Sequence, residues 1–412
     1  MNRRARVGVL AERLAAPRIT LTTSYAEGAM LAIARAASAR HLLEGFLTTL
    51  YWGDELKSRL LVRSLARRRL WGVPAQLVWQ CARPTELAYV ASKRFGYGRM
   101  TASLMYRTQE RFDYAVSREV GRRQTDLIVG VNGGAQKTFE VARSQGIRAI
   151  LHVVNSHPRV HNALLATAGA PAGSHEYVPV RAAERVDAEL QLADLVLVPS
   201  ALVANQLLSQ GISQERLAIL RYGVDPGLFI ATARSRVTAR SLRCLYVGQI
   251  SWGKGIRVLI DAARMLSGFA TFSLIGPLVS PEVLGKLPPN VVVSNTVPHL
   301  RLRAEYARAD VFVLPSIDDA FGLVTLEALS SGLPVVVSSG AGTSELITHG
   351  RDGLVVPSGS ATALATALRN IADPRLRAEL GNAGRALVER GNTWEEYGAR
   401  VLSTLDSVRR AA

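Results

Sequence analysis

The second half of the sequence repeats one pattern: a short apolar run, then a loop, then in most cases a helical pattern. Five such runs are CLYVGQI, ATFSLIG, VVVSN, DVFVLPS and PVVVSS, which begin at residues 244, 270, 291, 310 and 334. The first half alternates in the same way, with strand-like runs that begin near residues 18, 45, 125, 149 and 194. Short apolar runs separated by helices are typical of parallel sheets with right-handed crossovers. We therefore expect an α/β fold in which two doubly wound, Rossmann-like domains face a central cleft and bind ligands outside the C-terminal strand ends.

The length of 412 residues also suggests two domains. A polar stretch at 231–241 separates the two series of strands and is the expected linker. The predicted order is a basic leader (1–18), an N-terminal domain (19–230), the linker (231–241), a C-terminal domain (242–385) and a final helical segment (386–412). In the first domain, Gly146 follows a helical pattern where a C-cap residue is expected.

The charge balance narrows the classes of partner. There are 50 Lys and Arg against 33 Asp and Glu, and the first 120 residues hold 20 of the cations but only 9 of the acids. Such an excess is typical of proteins that bind nucleic acid, an anionic membrane surface or an anionic substrate, and also of arginine-rich proteomes. The two cysteines, Cys81 and Cys244, lack metal-site spacing, which predicts neither a zinc site nor a disulfide framework and favours the reducing cytoplasm.

A glycine-flanked lysine follows the first strand candidate of the second domain. In GQISWGKG the strand ends at Gly248, and Lys254 precedes a helix that begins at about Ile256. Glycines let a ligand approach the backbone, while a helix N-terminus and a lysine both attract anions. The loop is therefore predicted to hold a diphosphate, although it matches neither a P-loop nor a dinucleotide fingerprint. A solvated turn is the alternative interpretation.

Two carboxylates stand eight positions apart in PSIDDAFGLVTLEALSSGLPVVVS, which begins at residue 315. Asp319 is predicted to lie in the loop after a strand, and Glu327 in the early turns of a helix that begins near Leu323. Carboxylates accept hydrogen bonds from sugar hydroxyls, and the main-chain amides at 320–322 can meet a phosphate or sugar oxygen. Alternatively, Asp319 only complements the helix dipole. Glu327 lies in an apolar segment, where an acid needs a partner or a ligand.

Together these segments resemble the retaining glycosyltransferases of family 4, which have the GT-B fold. That family carries a G-[RQ]-x(4)-KG loop and a PS-x(2)-E-x-FG-x(4)-EA segment, and this chain has GQISWGKG and PSIDDAFGLVTLEA. The resemblance is strong over residues 180–400 and looser over 19–180. It also implies that the helix containing TWEEY crosses back to the N-terminal domain.

The resemblance implies a role for each matching residue. Glu327 would bind the ribose hydroxyls of the donor, Lys254 its diphosphate, and Asp319, in place of a glutamate, the donor sugar. Gln249 stands where the family usually has an arginine, so more of the leaving-group charge falls on Lys254, on helix N-termini and on the loop at 340–345. The predicted donor contacts are Gly248, Gln249, Lys254, Asp319, Ala320, Phe321, Gly322 and Glu327.

The family also places a histidine near the reacting carbon, and LHVVNSHPRVHN offers three. His157 is the first choice because it follows a strand in NSHP, with His152 and His161 as the other candidates. The predicted catalytic residues are thus His157, Lys254 and Asp319. The turn with Glu27 and Gly28 is expected to touch the diphosphate or the acceptor.

The implied enzyme moves a hexose-type sugar from a nucleotide-diphosphate sugar to a glycan or lipid-linked acceptor, with retention and without a metal or other cofactor. Polysaccharide or glycolipid biosynthesis is the expected setting. The segment at 56–72 alternates leucines with arginines and ends near Trp71. This pattern predicts a helix that lies on the anionic inner face of the plasma membrane. An ordinary surface helix is the alternative interpretation.

Two other functions stay open from the sequence. Gln249 and Asp319 depart from the family pattern, which is compatible with a non-catalytic GT-B subunit. The basic charge is compatible with a nucleic-acid-binding protein, but aromatic residues make up only 6% of the chain and no recognition motif is present.

Overall fold

The computed structural model describes residues 17–24, 28–51, 72–93, 98–229 and 241–410. The prediction for Glu27 lies outside these residues, and so do nearly all of the helix predicted at 56–72, of the basic leader and of the linker.

The N-terminal domain is built on a parallel sheet of seven strands in the order β3-β2-β1-β4-β5-β6-β7. These strands are β1 (Ile19–Thr23), β2 (Leu43–Thr48), β3 (Val78–Gln80), β4 (Leu127–Val131), β5 (Arg148–His152), β6 (Leu195–Val198) and β7 (Leu217–Ile219). The helices are α1 (Gly28–Ala39), α2 (Arg83–Ser92), α3 (Arg99–Val120), α4 (Gln136–Ser144), α5 (Pro158–Thr167), α6 (Val180–Leu192) and α7 (Ala201–Ser209).

The C-terminal domain has a second parallel sheet, of six strands in the order β10-β9-β8-β11-β12-β13. Its strands are β8 (Leu242–Val247), β9 (Ala270–Ile275), β10 (Val291–Ser294), β11 (Val311–Leu314), β12 (Val335–Ser338) and β13 (Leu354–Val356). Its helices are α8 (Ile256–Met265), α9 (His299–Arg308), α10 (Leu323–Ser330), α11 (Ala361–Asn370) and α12 (Pro374–Glu389), and the chain continues into α13 (Trp394–Arg410).

Both sheets have a switch point in their middle, where the strand order reverses. In the first sheet β1 pairs with both β2 and β4, and in the second β8 pairs with both β9 and β11. The central strands are buried on both faces, as the four apolar residues of β11 are, because helices cover each side of a parallel sheet. At a switch point the neighbouring loops diverge and leave a crevice for a ligand. The prediction of two doubly wound α/β domains is confirmed.

The chain crosses between the domains at two adjacent places. Val224, on the way out, forms a parallel bridge with Thr393, on the way back. Helix α13 then packs on α1 of the N-terminal domain, where a side chain at Gly398 would lie 2.8 Å from the carbonyl oxygen of Ala32. Helix α12 still packs on the C-terminal sheet through α10 and β12, so the return begins after Glu389 and not at residue 386. None of the described helices is long and apolar enough to cross a membrane.

Candidate active site

The lysine loop leaves β8 at the switch point of the second sheet, and glycines set its path. Gly248 follows the strand, and a side chain at the neighbouring Gly276 would lie 1.7 Å from the Gly248 carbonyl oxygen. Gly255 has a φ of 69°, and a side chain there would lie 1.9 Å from the carbonyl oxygen of Pro315. Only a glycine allows this approach, because an L-residue would be strained at that φ and would also collide with the next loop.

The acidic loop leaves β11, the neighbour of β8, and is bonded directly to the lysine loop. The main-chain N–H groups of Ile317 and Asp318 donate to the carbonyl oxygen of Gly253 at 2.9 and 3.0 Å. Lys254 Nζ lies 2.8 Å from Asp319 Oδ2, and both side chains are largely buried. Two segments more than sixty residues apart in the sequence therefore form one charged rim at the C-terminal ends of adjacent strands.

The other predicted donor residues at 320–322 lie at this rim or directly behind it. Gly322 precedes α10 with a φ of 91°, and a side chain there would lie 2.7 Å from Leu314. Phe321 is buried edge-to-face on Tyr222, with ring centroids 5.2 Å apart. Ala320 lines a cavity that lies between the two domains, and Phe321 does not. Phe321 therefore anchors the loop to the domain crossing.

Glu327 lies in α10, behind the rim. Tyr306 donates a hydrogen bond to Glu327 Oε2 at 2.9 Å, and burial raises the pKa of Glu327 to about 7 even though this bond opposes the shift. Glu327 does not line the central cavity, whereas Lys254, Asp319 and Gln249 do. The two predicted acids thus occupy different environments: Asp319 is paired with a cation, and Glu327 is held by a phenol in a poorly solvated position.

A cavity of about 980 Å³ separates the two domains at this rim. Its C-terminal wall contains Gln249, Lys254 and Asp319. Its N-terminal wall is formed by the loops after β4 and β5, by α3, and by the segment before α6. That wall is rich in cations, which include Lys93, Arg99, Arg107, Arg181 and Arg185. A ligand in the cavity therefore touches both domains, with positive charge on either side.

The structure brings a different histidine to the cavity from the one first chosen. His157 is 1% exposed, binds Asp187 through Nε2 at 2.9 Å and caps α5 by accepting the Arg159 N–H through Nδ1. Burial lowers its pKa although Asp187 opposes the shift. His161, one helical turn further along, lines the cavity and His157 does not. The prediction of His157 as the cleft histidine does not fit this geometry, because a helix N-cap directs the side chain back onto its own helix.

Two other predicted residues also lie away from the cavity lining. His152, at the end of β5, is buried against the returning helix, where Nε2 lies 2.9 Å from Tyr397 Oη and burial lowers its pKa to about 4. Gly28 begins α1, and a side chain there would lie 3.0 Å from the ring of Trp394. Gly28 therefore lies against the crossover helix, and its contact with the diphosphate or acceptor stays a prediction.

Asp318 is a site residue that sequence reasoning missed. It is 5% exposed, and its carboxylate accepts hydrogen bonds from Ser156 Oγ at 2.5 Å and from Gln206 Nε2 at 3.3 Å, and lies 2.6 Å from His161 Nδ1. Burial acts to raise the pKa of Asp318, but the bonds from His161 and Ser156 and the charge of Lys254 hold it below its ordinary value. All three bonding partners belong to the other domain, so only the meeting of the domains reveals this contact.

A second missed carboxylate reaches the lysine loop from the N-terminal domain. Glu176 Oε1 accepts the N–H of Trp252 at 2.9 Å and the hydroxyl of Ser280, and its Oε2 accepts the N–H of Gly253 at 3.0 Å. Glu176 also lines the cavity. These main-chain donors of the lysine loop thus already bind an anion, which shows that the loop presents amides suited to negative charge.

The loop at 340–345 closes the rim on its other side. A side chain at Gly340 would lie 2.4 Å from the carbonyl oxygen of Ser316, and one at Gly342 would lie 2.3 Å from that of Ala320. Glu345, at its end, accepts the N–H of Ala201 and the Arg221 guanidinium, each at 2.7 Å. The glycines therefore hold this loop against the acidic loop, and Glu345 fastens it to the N-terminal domain.

Residues 241–373 match the family model described as glycosyl transferases group 1. The chain is 28% identical over 288 residues to a D-inositol 3-phosphate glycosyltransferase of Pseudarthrobacter chlorophenolicus, a match that covers 62% of this chain and 64% of the relative. The first three curated relatives are matched over 64%, 46% and 42% of their own lengths, so the chain spans less than two thirds of each. The family match thus covers the domain that holds the lysine loop and the acidic segment.

Solved structures match nearly the whole chain. A sucrose-phosphate synthase from Thermosynechococcus elongatus superposes with a TM-score of 0.65 at 20% identity, covering 96% of this chain and all of that one. HepE from Anabaena, in complex with UDP-glucose, superposes with a TM-score of 0.64 at 18% identity, covering 95% and 100%. At these identities the likeness concerns the fold, and the predicted GT-B fold is confirmed.

Proposed function

We propose that the chain is a retaining glycosyltransferase that moves a hexose-type sugar from a nucleotide-diphosphate sugar to a glycan or lipid-linked acceptor. The observation that carries this proposal is the contact between Lys254 and Asp319 at the switch point of the second sheet, beside a cavity that both domains line. The glycosyl transferases group 1 match over residues 241–373 supports the same function. The UDP-glucose in the structural neighbour HepE supports the class of donor.

The donor is bound mainly by the C-terminal domain. Lys254 receives the diphosphate, and Asp319 accepts hydroxyls of the sugar. The family pattern assigns the ribose hydroxyls to Glu327, although its carboxylate lies behind the rim and not in the cavity lining. Gln249, at the cavity, donates its amide to a phosphate oxygen without neutralising it. Lys254 is then shared between Asp319 and the incoming phosphates, and it supplies the principal positive side chain of this wall.

In the reaction, the bond between the anomeric carbon and the oxygen of the distal phosphate breaks, and the acceptor oxygen bonds to the same face of that carbon. The acceptor proton passes to the departing phosphate oxygen, so no protein base is required. Lys254 stabilises the negative charge that develops on the diphosphate. We expect no divalent metal to be needed, so turnover should be unchanged by a chelator.

The acceptor is bound by the N-terminal wall. Its cations, with Arg99 and Arg107 on α3 and Arg181 at the start of α6, favour an acceptor that carries negative charge or sits on an anionic membrane. We place the enzyme in the cytoplasm, associated with the inner membrane surface. Sedimentation with vesicles rich in anionic lipid should recover the protein at low salt and release it at high salt. No binding at low salt would remove the membrane part of the proposal.

Thermal stabilisation across UDP-, GDP- and ADP-sugars tests the donor site. A ligand at a hundredfold its dissociation constant should add about 2.7 kcal/mol to the stability. Lys254→Ala should weaken this shift, and Glu327→Ala should abolish it. Lys137→Ala is the matched control, because Lys137 pairs with Glu140 on the surface of α4. Wild-type shifts and turnover in both site variants would overturn the assignment of the second domain.

A non-catalytic subunit of the same fold is the second candidate, because Gln249 replaces the expected arginine at the cavity wall. Slow hydrolysis of the donor without acceptor separates the two. An enzyme with this site should release the sugar, whereas a non-catalytic subunit should bind the donor without consuming it.

A further inference from the structure

We propose that Asp318 is a positioning residue that orients His161 toward the bound sugar, and that the pair assembles only when the two domains close. This inference rests on the proposed glycosyltransferase function and adds a residue pair to it. Asp318 acts through His161, and His161 is the group that touches the substrate.

The contacts of Asp318 divide between the two domains. Its main-chain N–H donates to Gly253 in the lysine loop at 3.0 Å, so the C-terminal domain fixes its backbone. Among the described residues, its carboxylate forms hydrogen bonds only with side chains of the N-terminal domain, namely Ser156, His161 and Gln206. Opening of the cleft would therefore separate the carboxylate from His161.

The pairing determines which nitrogen of His161 carries a proton. An ionised carboxylate only accepts hydrogen bonds, so Nδ1, at 2.6 Å from Asp318 Oδ2, must be the protonated nitrogen. In the neutral ring Nε2 then has a lone pair, which can accept a hydroxyl hydrogen. This orientation is maintained by a carboxylate that is nine-tenths buried or more and has its other oxygen bonded to Ser156 and Gln206.

The position of His161 suits a hydroxyl of the transferred sugar. The ring lines the cavity with 23% of the side chain exposed. Its Cε1 atom is 3.4 Å from the point where a side chain at Gly253 would begin, so the ring lies over the lysine loop. Lys254 and Asp319 follow on the same rim. A sugar whose diphosphate sits on that loop would therefore present its hydroxyls to Nε2.

Glu345 offers a matched control for a role that is only structural. It also joins the domains, through Ala201 and Arg221, but it does not line the cavity. If Asp318 served only to hold the domains together, Glu345→Gln and Asp318→Ala should have similar effects on turnover. If it orients His161, only Asp318→Ala should resemble His161→Ala.

The kinetic test uses the full chain with the sugar nucleotide that stabilises it most, and donor hydrolysis as the assay. We expect Asp318→Ala and His161→Ala each to lower kcat at least tenfold, with the donor-induced thermal shift retained. The double variant should be no slower than either single variant, because the two residues act as one unit. Asp318→Asn, whose amide oxygen can still accept from Nδ1, should recover part of the loss. Additive effects, or an equal loss in Glu345→Gln, would overturn the proposal.

A second measurement does not depend on a variant's folding or on the proposed function. Nitrogen-15 NMR of the histidine rings at a pH where they are neutral should show His161 with its proton on Nδ1, whereas an untethered histidine favours Nε2. The Nε2–H form at His161 in the wild-type protein would overturn the pairing. If no sugar nucleotide binds or is hydrolysed, the proposed function fails, while the NMR result still decides whether Asp318 orients the ring.

Discussion

Three carboxylates of one short segment differ in what surrounds them. Asp319 is paired with Lys254, Asp318 is bonded across the cleft to the N-terminal domain, and Glu327 is held by Tyr306. The loops that follow the strand candidates predicted that Asp319 and Lys254 would lie at one rim of the second sheet. They could not predict the role of Asp318, because its three partners come from loops and helices more than a hundred residues away.

Glu327 should make stability depend on pH. Its pKa is raised from 4.5 to about 7 by burial, so between these values the folded state keeps a proton that the unfolded state has lost. The free energy of unfolding should therefore fall by about 3 kcal/mol, from this group alone, as the pH rises from 4.5 to 7. Above pH 7 this contribution should level off. Glu327→Gln should flatten that decline, measured as the urea midpoint at pH 5 and pH 8.

The control for this pH prediction is Glu389→Gln, which removes an exposed acid paired with Arg385. That variant should follow the wild-type pH dependence. The prediction is wrong if Glu327→Gln and the wild-type protein lose stability equally between pH 5 and pH 8.

At the scale of whole elements, the alternation of strands and helices was predictable because apolar periodicity is local. The central strands β4, β11 and β12 lie within the predicted runs, and β8 begins two residues before its predicted run. Gly146, expected at the end of a helix, follows α4 with a φ of 70°. The edge strands β3 and β7 went unpredicted, because each has three residues and they are not fully buried. Helix α3 also went unpredicted, because its residues are largely polar and its buried face is narrow.

The backbone conformation at Gly255 should determine the position of the whole lysine loop. Gly255→Ala would combine a strained φ with a 1.9 Å collision against Pro315, and should push the lysine loop away from the acidic loop. We expect donor-induced stabilisation to be lost. Gly268→Ala is the matched control, since Gly268 has a φ of 76° but nothing within 4 Å of the added carbon. Gly268→Ala should lower the free energy of unfolding by only about 1 kcal/mol and keep the donor-induced stabilisation. If Gly255→Ala also keeps the donor-induced stabilisation, the prediction is wrong.

At the scale of the molecule, three carboxylates among the described residues join the domains. Glu176 reaches from the N-terminal domain into the lysine loop, while Asp318 and Glu345 reach the other way. An aromatic cluster at the crossings, formed by His152, Tyr222, Phe321, Trp394 and Tyr397, stays common to both domains. Polar contacts around the cavity and the aromatic cluster at the crossings therefore together hold the two domains against each other.

Removal of two of these carboxylates should open the molecule. The double variant Glu176→Ala and Glu345→Ala loses the contacts to the lysine loop, Ala201 and Arg221 while the aromatic cluster stays intact. Small-angle X-ray scattering should show a larger radius of gyration than for the wild-type protein. Asp261→Ala, which breaks only the surface pairs with Arg257 and Arg264 within α8, should not change it. An unchanged radius in the double variant would mean that other contacts hold the cleft.

The sequence by itself determined the two doubly wound domains, the glycine-shaped loops and the placement of Lys254 and Asp319 at one rim of the second sheet, because periodicity, glycine positions and strand ends are properties of the local chain and of the sheet order it implies. Only the tertiary structure decided that His161 and not His157 lines the cavity, and that Asp318 and Glu176 cross between the domains. Those outcomes depend on how two separately built surfaces meet, and the spacing of residues within either surface carries no information about that meeting.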